Sequence, residues 1–487
     1  MKYSLKLLFA CVFLFTSCLK QKESPFQKYF NPATLRIDYF HTGDAQSESV
    51  SLDEMYRYDH WAGSELNLID PLDYGAYYHK IYDLSSGELI YSRGFDSYFK
   101  EYQTSAPALN GEVKQFHESA IVPLPKANVI FALEKRDKSG QLQEVFRTEI
   151  DPAAALQTVN DLDIHIYTSQ ESGPSAVKAD IAIIGEGYTV EENQKFQDDL
   201  KRFTEYFFRA EPCKSNRERF NIRGVLKPSR DSGIDEPRAG IDKNTAVNAT
   251  FNSMGSERYV LTEDNKSLRD IAGQVPYDAL YIMVNSTRYG GGGIYNFYCV
   301  YTSDNIDSDY LMVHEFGHSF FGLADEYYTS STAYNDFYSP EYEPAEPNIT
   351  ALKDPENVKW KHLLSEGIAL PTPWAKVEFD SLDLNWQQER AELNDHIAKL
   401  QKDEAPDAEV LAAKTLYDQK SEARNQAVQQ YLESSEFAGK VGAFEGAGYM
   451  STGLYRPSIN CIMFTRTDYF CPVCRKAMQE VIDSYSN

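Results

Sequence analysis

The front of the chain, from about residue 31 to about residue 156, carries mostly strand-like patterns, and at its start apolar and polar positions alternate with a period of two. Leu35, Ile37 and Tyr39 are separated by polar residues, as in a strand with one buried face. Residues 77–82 and 88–91 flank the turn-forming Ser85-Ser86-Gly87, and residues 129–133 and 145–150 flank Lys138-Ser139-Gly140. Hairpins repeated in this way predict a small β-sandwich over residues 31–160. Its histidines, His41, His60, His79 and His117, are scattered and read as structural or solvated.

The period then changes. Residues 168–175 are polar, contain Gly-Pro and read as a boundary. Asp180 to Ile184 is an apolar strand, Thr189 and Glu192 form a capping box, and Phe196, Leu200, Phe203 and Phe207 follow at helical spacing. Further strands are expected at residues 221–226, 279–284 and 294–301. This order predicts an α/β domain over residues 176–487. Gly290 to Gly293 lacks the Lys-Ser/Thr ending of a phosphate loop and reads as a mobile loop. The strand beside it, 294–301, is then an edge able to take a peptide as an added strand. Over residues 381–434 the composition shifts to Ala, Glu, Gln, Lys and Leu. Trp386, Leu393, Ile397 and Leu400 mark one helix and Val410, Tyr417, Ala427 and Tyr431 a second, broken at Pro406. An inserted helical hairpin follows, either covering a cleft, binding a partner or standing as a solvated arm.

The formal net charge of -25 over 487 residues argues against nucleic acid as a partner, because phosphate binding needs a basic surface. Lys2 and Lys6 precede an apolar run, Leu7 to Phe15, too short for a stable membrane span. It ends Phe15-Thr16-Ser17-Cys18, which resembles a bacterial lipobox. Residues 1–18 then form a lipoprotein signal and residues 19–30 a tether. The mature chain would sit in the bacterial envelope, periplasmic or at the cell surface, anchored to the membrane by a lipid on Cys18. The plainer alternative is a cleaved signal with an incidental cysteine. The body keeps Cys213, Cys299, Cys461, Cys471 and Cys474. An odd number in an oxidising compartment allows at most two disulfides and leaves one free thiol; Cys471-Pro472-Val473-Cys474 is a C-x-x-C that points to structural metal more than to redox chemistry, and a structural staple is expected near the C-terminus.

The strongest chemical signal is His314-Glu315-Phe316-Gly317-His318. On a helix, residues four apart share a face, so the two imidazoles can bind one zinc ion. Glu315 can then act on a water at that metal. Asp307 or Ser308 can cap the helix, no proline interrupts it, and Gly322 suits its C-terminal end. Ala324 occupies the place where a third histidine often follows, which leaves Asp325 as the favoured third ligand and Glu326 as the alternative. Glu341, Glu343 and Glu346 lie in a proline-rich stretch that reads poorly as a ligand-bearing helix.

With the later Pro457-Ser458-Ile459-Asn460-Cys461-Ile462-Met463, the motif resembles the metzincins, whose Met-turn underlies the zinc site; Met463 matches that methionine. His314 to Tyr327, the Glu445 region and Phe470 to Cys474 resemble the IgA-specific metalloendopeptidase family of gut bacteria. The resemblance implies a metzincin-like zinc protease domain behind a β-rich N-terminal domain. It implies one catalytic Zn2+ held by His314, His318 and Asp325, with Glu315 as general base and Met463 supporting by packing. The expected function is zinc-dependent endopeptidase action on extracellular proteins, host proteins among them. Tyr327 and Tyr455 are candidate donors to the oxyanion. Two other readings stand beside it: a surface lipoprotein binding host glycan or protein through a non-catalytic metal site, and a zinc amidase acting on cell-wall peptide.

Overall fold

The computed structural model describes residues 23–158, 163–328 and 337–486. The export segment, Cys18 and the first part of the tether lie outside the described residues.

Helix α1 (Pro25–Tyr29) leads into β1 (Phe30–Gly43), β2 (Glu48–Tyr58), β3 (Tyr77–Asp83) and β4 (Leu89–Phe95). Helices α2 (Tyr98–Gln103) and α3 (Ala106–Leu109) precede β5 (Lys114–Pro125), β6 (Val129–Arg136), β7 (Leu142–Ile150) and β8 (Leu156–Gln157). The strands form two sheets, ordered β5-β1-β2-β8 and β4-β3-β6-β7. Leu35, Ile37 and Tyr39 of β1 meet Ile81 of β3 and Phe131 and Leu133 of β6 in one core. The polar residues between them are buried as well. Arg36 pairs with Asp38 at 2.5 Å and with Asp270 at 2.6 Å, so this face of β1 is covered by the following part of the chain. Pairing is what makes a buried guanidinium tolerable.

The rest of the chain runs β9 (His165–Gln170), β10 (Ala179–Glu186), α4 (Asn193–Phe207), β11 (Phe220–Leu226), α5 (Asn265–Ala272), β12 (Ala279–Val284), β13 (Gly291–Ile294), β14 (Tyr298–Thr302) and α6 (Ser308–Ser319). It continues through α7 (Lys376–Lys402), α8 (Asp407–Glu433), the hairpin β15 (Val441–Ala447) and β16 (Met450–Ser458), and α9 (Pro472–Tyr485). Six strands make a mixed sheet ordered β13-β14-β12-β10-β11-β9. The four inner strands are parallel and both edges antiparallel. Side chains of β10 point alternately to two cores. Ile181 and Ile183 join Phe196 and Phe203 of α4 and Phe316 of α6, whereas Ala182 and Ile184 join Leu268 and Ile271 of α5. Burial on both faces explains the unbroken apolar run of this strand.

Four expectations are corrected. The polar stretch 168–175, expected as a boundary, contains the end of β9, which pairs with β11 inside the large sheet. β9 is an exposed edge and carries little apolar signal. The single strand expected over 294–301 is two strands turning at Asn296, whose φ is 50; asparagine tolerates the left-handed region. Gly291 to Gly293, within the run 290–293 expected as a mobile loop, instead form the edge strand β13 with Ile294. Finally, none of the five body cysteines is joined in a disulfide, so none of the expected disulfides forms.

Helices α7 and α8 pack on one another through the Trp386 and Tyr417 rings, 6.2 Å apart, and through the ion pairs Lys420–Glu389 and Arg424–Asp383. Among the described residues no helix is long and apolar enough to cross a membrane.

Candidate metal centre and active site

Helix α6 carries both histidines. Asp307 stands at its N-cap position without a side-chain capping bond; its carboxylate pairs with Arg466 instead. After Ser319 the chain turns through Gly322, whose φ of 64 favours glycine. The Gly322 and Leu323 amides return to the carbonyls of His318 and Gly317, at 3.1 and 2.9 Å. This reversal brings the extended segment after Gly322 back beneath the helix.

The structure brings Asp325, and not Glu326, to the histidine pair. His314 Nε2 and His318 Nε2 are 3.2 Å apart, and Asp325 Oδ1 lies 3.1 and 3.2 Å from them. Four-coordinate metal bonds of about 2.0–2.1 Å require ligand atoms spaced by roughly 3.3 Å, so the triangle has the size of one face of a tetrahedral site. The tautomers agree. His314 Nδ1 meets the Ile462 carbonyl at 3.0 Å and His318 Nδ1 the Leu323 carbonyl at 2.6 Å. A carbonyl only accepts, so each Nδ1 carries its hydrogen and a neutral ring presents a lone pair at Nε2. Asp325 Oδ1 is buried and has no hydrogen-bond partner. Three electron-rich atoms thus converge on one point, an arrangement that a cation stabilises. Burial opposes a charge on His318, but the adjacent Asp325 carboxylate outweighs it and raises His318 to about 9.

The surroundings fix the three groups. Tyr449 donates to Asp325 Oδ2 at 2.5 Å. The Ile462 carbonyl also accepts from Tyr310 at 3.2 Å. Met463 is fully buried, and a methyl group at Gly317 would lie 2.7 Å from its sulfur. The methionine therefore fills the space under the middle of α6, with Glu326 N–H donating to its carbonyl at 2.8 Å.

Glu315 is 8% exposed and lines the same cleft as the histidines and Asp325. Its carboxylate lies along β13: added Cβ atoms at Gly291 and Gly293 would meet Oε1 at 3.0 Å and Oε2 at 3.3 Å. Burial raises its pKa above the ordinary carboxylate value, opposed by His314 and His318. Tyr327 also lines the cleft, its ring 6.2 Å from that of His314. Tyr455, the other expected oxyanion donor, does not line it; it is paired within the β15–β16 hairpin and bridged to Thr350. Glu326 turns away too, accepting from Asn348 at 3.1 Å and from the Cys474 thiol at 3.3 Å. The cleft wall includes Trp386 and Arg390 of α7, Tyr417 of α8 and Asp96 and Glu101 from the N-terminal part of the chain.

Tyr449 and the two carbonyls that orient the histidines were not legible beforehand, since a carbonyl has no sequence signature and Tyr449 is 124 positions from Asp325. The run Gly290 to Gly293 did carry a usable signal. A Cβ at Gly293 would come within 2.6 Å of the Glu315 carbonyl oxygen, so glycine is what lets α6 lie this close to the strand.

No curated protein matches the chain to a significant degree. Residues 25–147 match the family model described as Peptidase M64 N-terminus. Residues 167–482 match the model described as IgA Peptidase M64, and the chain belongs to that family of peptidases.

Proposed function

We propose that this chain is a zinc-dependent endopeptidase with a metzincin-like catalytic domain, acting on extracellular proteins with Glu315 as general base. The observation that carries the reading is the convergence of His314 Nε2, His318 Nε2 and Asp325 Oδ1 within 3.2 Å of one another, beside Glu315 in one cleft. These three side chains would hold the ion in the cleft that Glu315 also lines. Zinc, when bound, supplies Lewis acidity that acidifies water and polarises a peptide carbonyl.

The residues of the chain do the remainder. The Glu315 carboxylate accepts a proton from the attacking water and delivers it to the departing amine nitrogen as the C–N bond breaks. Tyr327, which lines the cleft, is the proposed donor to the developing oxyanion. Gly290 O accepts from Thr302 on the β14 side, so by strand alternation the Gly291 and Gly293 backbones face outward. Gly291 is used by residues 258–260, and the substrate would extend the sheet at Gly293. Residues 381–434 are read as an insertion in this domain that shapes the same cleft through Trp386, Arg390 and Tyr417. Residues 31–160 are read as a separate β-sandwich domain before it, supported by the shared core of its two sheets.

The test is cleavage of a mixed protein panel that includes IgA and mucin, with new termini read by mass spectrometry, for wild type and Glu315→Ala. New termini with wild type alone are expected. Cleavage by both proteins would refute the role of Glu315, and cleavage by neither would favour metal-dependent binding. Export with a lipid on Cys18 is proposed from residues 1–18 alone. Mass spectrometry of the native N-terminus should find a lipidated cysteine; an unmodified one refutes the anchor.

A further inference from the structure

A second group of ligand-type side chains lies behind the first. Cys461, Cys471, Cys474 and Glu326 each offer one atom, all within 4.8 Å of one another, and all four residues are buried. We propose that they form a structural zinc site, distinct from the histidine centre.

The spacing fits that ion. Zinc–sulfur bonds of about 2.3 Å and zinc–oxygen bonds of about 2.1 Å place tetrahedral ligands roughly 3.8 Å apart for two sulfurs and 3.6 Å for sulfur and oxygen. Cys461 Sγ and Cys474 Sγ are 3.8 Å apart, and Cys474 Sγ is 3.3 Å from Glu326 Oε1. The sulfurs also receive backbone hydrogen bonds: Cys471 N–H points to Cys461 Sγ at 3.3 Å and Cys474 N–H to Cys471 Sγ at 3.4 Å. Such donors offset part of the cost of burying a thiolate. The last two cysteines form a C-x-x-C at the start of α9, where the helix dipole adds to the effect.

Glu326 supplies an independent observation. Its side chain is fully buried, and Oε2 has no hydrogen-bond partner. A carboxylate held this way without a cation is costly. The buried Arg456 guanidinium is near enough to interact electrostatically with Glu326 and Cys461, and its Nε and Nη2 have no hydrogen-bond partner either. Its positive charge would offset part of the negative charge left when three thiolates and a carboxylate hold one divalent ion. A disulfide accounts for the cluster less well, because joining any two cysteines leaves the third facing the buried carboxylate. Thiolate-rich donor sets select zinc over hard cations such as magnesium and calcium.

The location gives the ion a task. Glu326 follows Asp325, and Cys461 precedes Ile462, whose carbonyl orients His314. One ion here would tie together the two segments that position the first metal and fasten both to α9.

The experiment uses the full chain. Elemental analysis should find roughly two zinc ions per chain, falling to about one in His318→Ala and to about one in Cys474→Ser. Because the cysteine variant can fail to fold, the decisive measurement is made on His318→Ala loaded with cobalt. Sulfur-to-cobalt charge-transfer absorption in the near ultraviolet is expected, since the histidine centre contains no sulfur. Absence of that absorption overturns the proposal, as does a disulfide among these cysteines in peptide mapping of the unreduced protein. Neither readout depends on peptidase activity, so this site and the catalytic reading succeed or fail separately.

Discussion

The Tyr449 hydroxyl donates to Asp325 Oδ2 at 2.5 Å, which leaves Oδ1 alone facing His314 and His318. Tyr449 reaches this place from the two-residue loop between β15 and β16. Gly448 and Tyr449 have φ values of 56 and 64, as a tight hairpin loop requires of both central residues. Their amides donate to the carbonyls of Asp325 and Tyr327, at 2.9 and 3.0 Å. The hairpin tip therefore holds both the backbone and the carboxylate of Asp325, the proposed third ligand.

Replacing Tyr449 by phenylalanine removes only the hydroxyl. Metal affinity at the histidine centre is expected to fall about 10–100-fold, the usual effect of losing a partner that orients a ligand. Competition with a chromophoric chelator measures it. Unchanged affinity would mean that the backbone hydrogen bonds suffice to aim Asp325.

Metal removal should cost stability as well as activity, because it leaves three acceptor atoms converging within 3.2 Å. A ligand present at 100 times its dissociation constant stabilises by about 2.7 kcal/mol. Thermal melts with and without chelator should differ by at least that order in wild type, less in His318→Ala, and zinc should restore the wild-type curve. Equal shifts in both proteins would locate the stabilising metal elsewhere.

Gly293→Ala is expected to destabilise by about 1–3 kcal/mol, as overpacking does. Its Cβ would lie 2.6 Å from a helix carbonyl oxygen that cannot swing aside. Gly317→Ala should be milder, since its Cβ meets the sulfur of Met463, on a flexible side chain, and alanine favours a helix by about 1 kcal/mol over glycine. Urea unfolding of the two variants checks the order. The reverse order would show that Met463 is the rigid partner.

Burial pushes His79 down to about 3, with Arg269 adding to the effect. The unfolded imidazole titrates near 6.5, so as pH falls the unfolded chain binds the proton first. The stability associated with neutral His79 is complete above about pH 6.5 and is lost progressively towards pH 3, by up to ~1.4 kcal/mol per unit. His79→Gln cannot titrate and still offers a partner to the Tyr39 hydroxyl, now 3.0 Å from Nε2. The stability difference between wild type and variant should shrink between pH 7 and pH 5 in urea titrations. Parallel pH dependences would exclude His79 from the acid response.

Local periodicity made much of the molecule legible in the chain itself. Alternation marked β1, turn residues between apolar runs marked β3 with β4 and β6 with β7, and period 3.6 marked α4, α7 and α8. One helical turn separates His314 from His318, so their shared face and the neighbouring Glu315 followed from spacing alone. What spacing could not decide was the choice between Asp325 and Glu326. Successive side chains of an extended segment point to opposite sides, so either residue could have faced the histidines. The choice depends on where the rest of the chain lies: Tyr449 and the histidines on one side, Cys461, Cys471, Cys474 and Asn348 on the other. Tyr449 lies 124 positions along the sequence from Asp325 and Cys474 148 from Glu326, and only tertiary packing brings them to the segment. Local conformational preference acts over a turn or a strand; the completion of a metal centre depends on contacts that form only when the whole chain has closed.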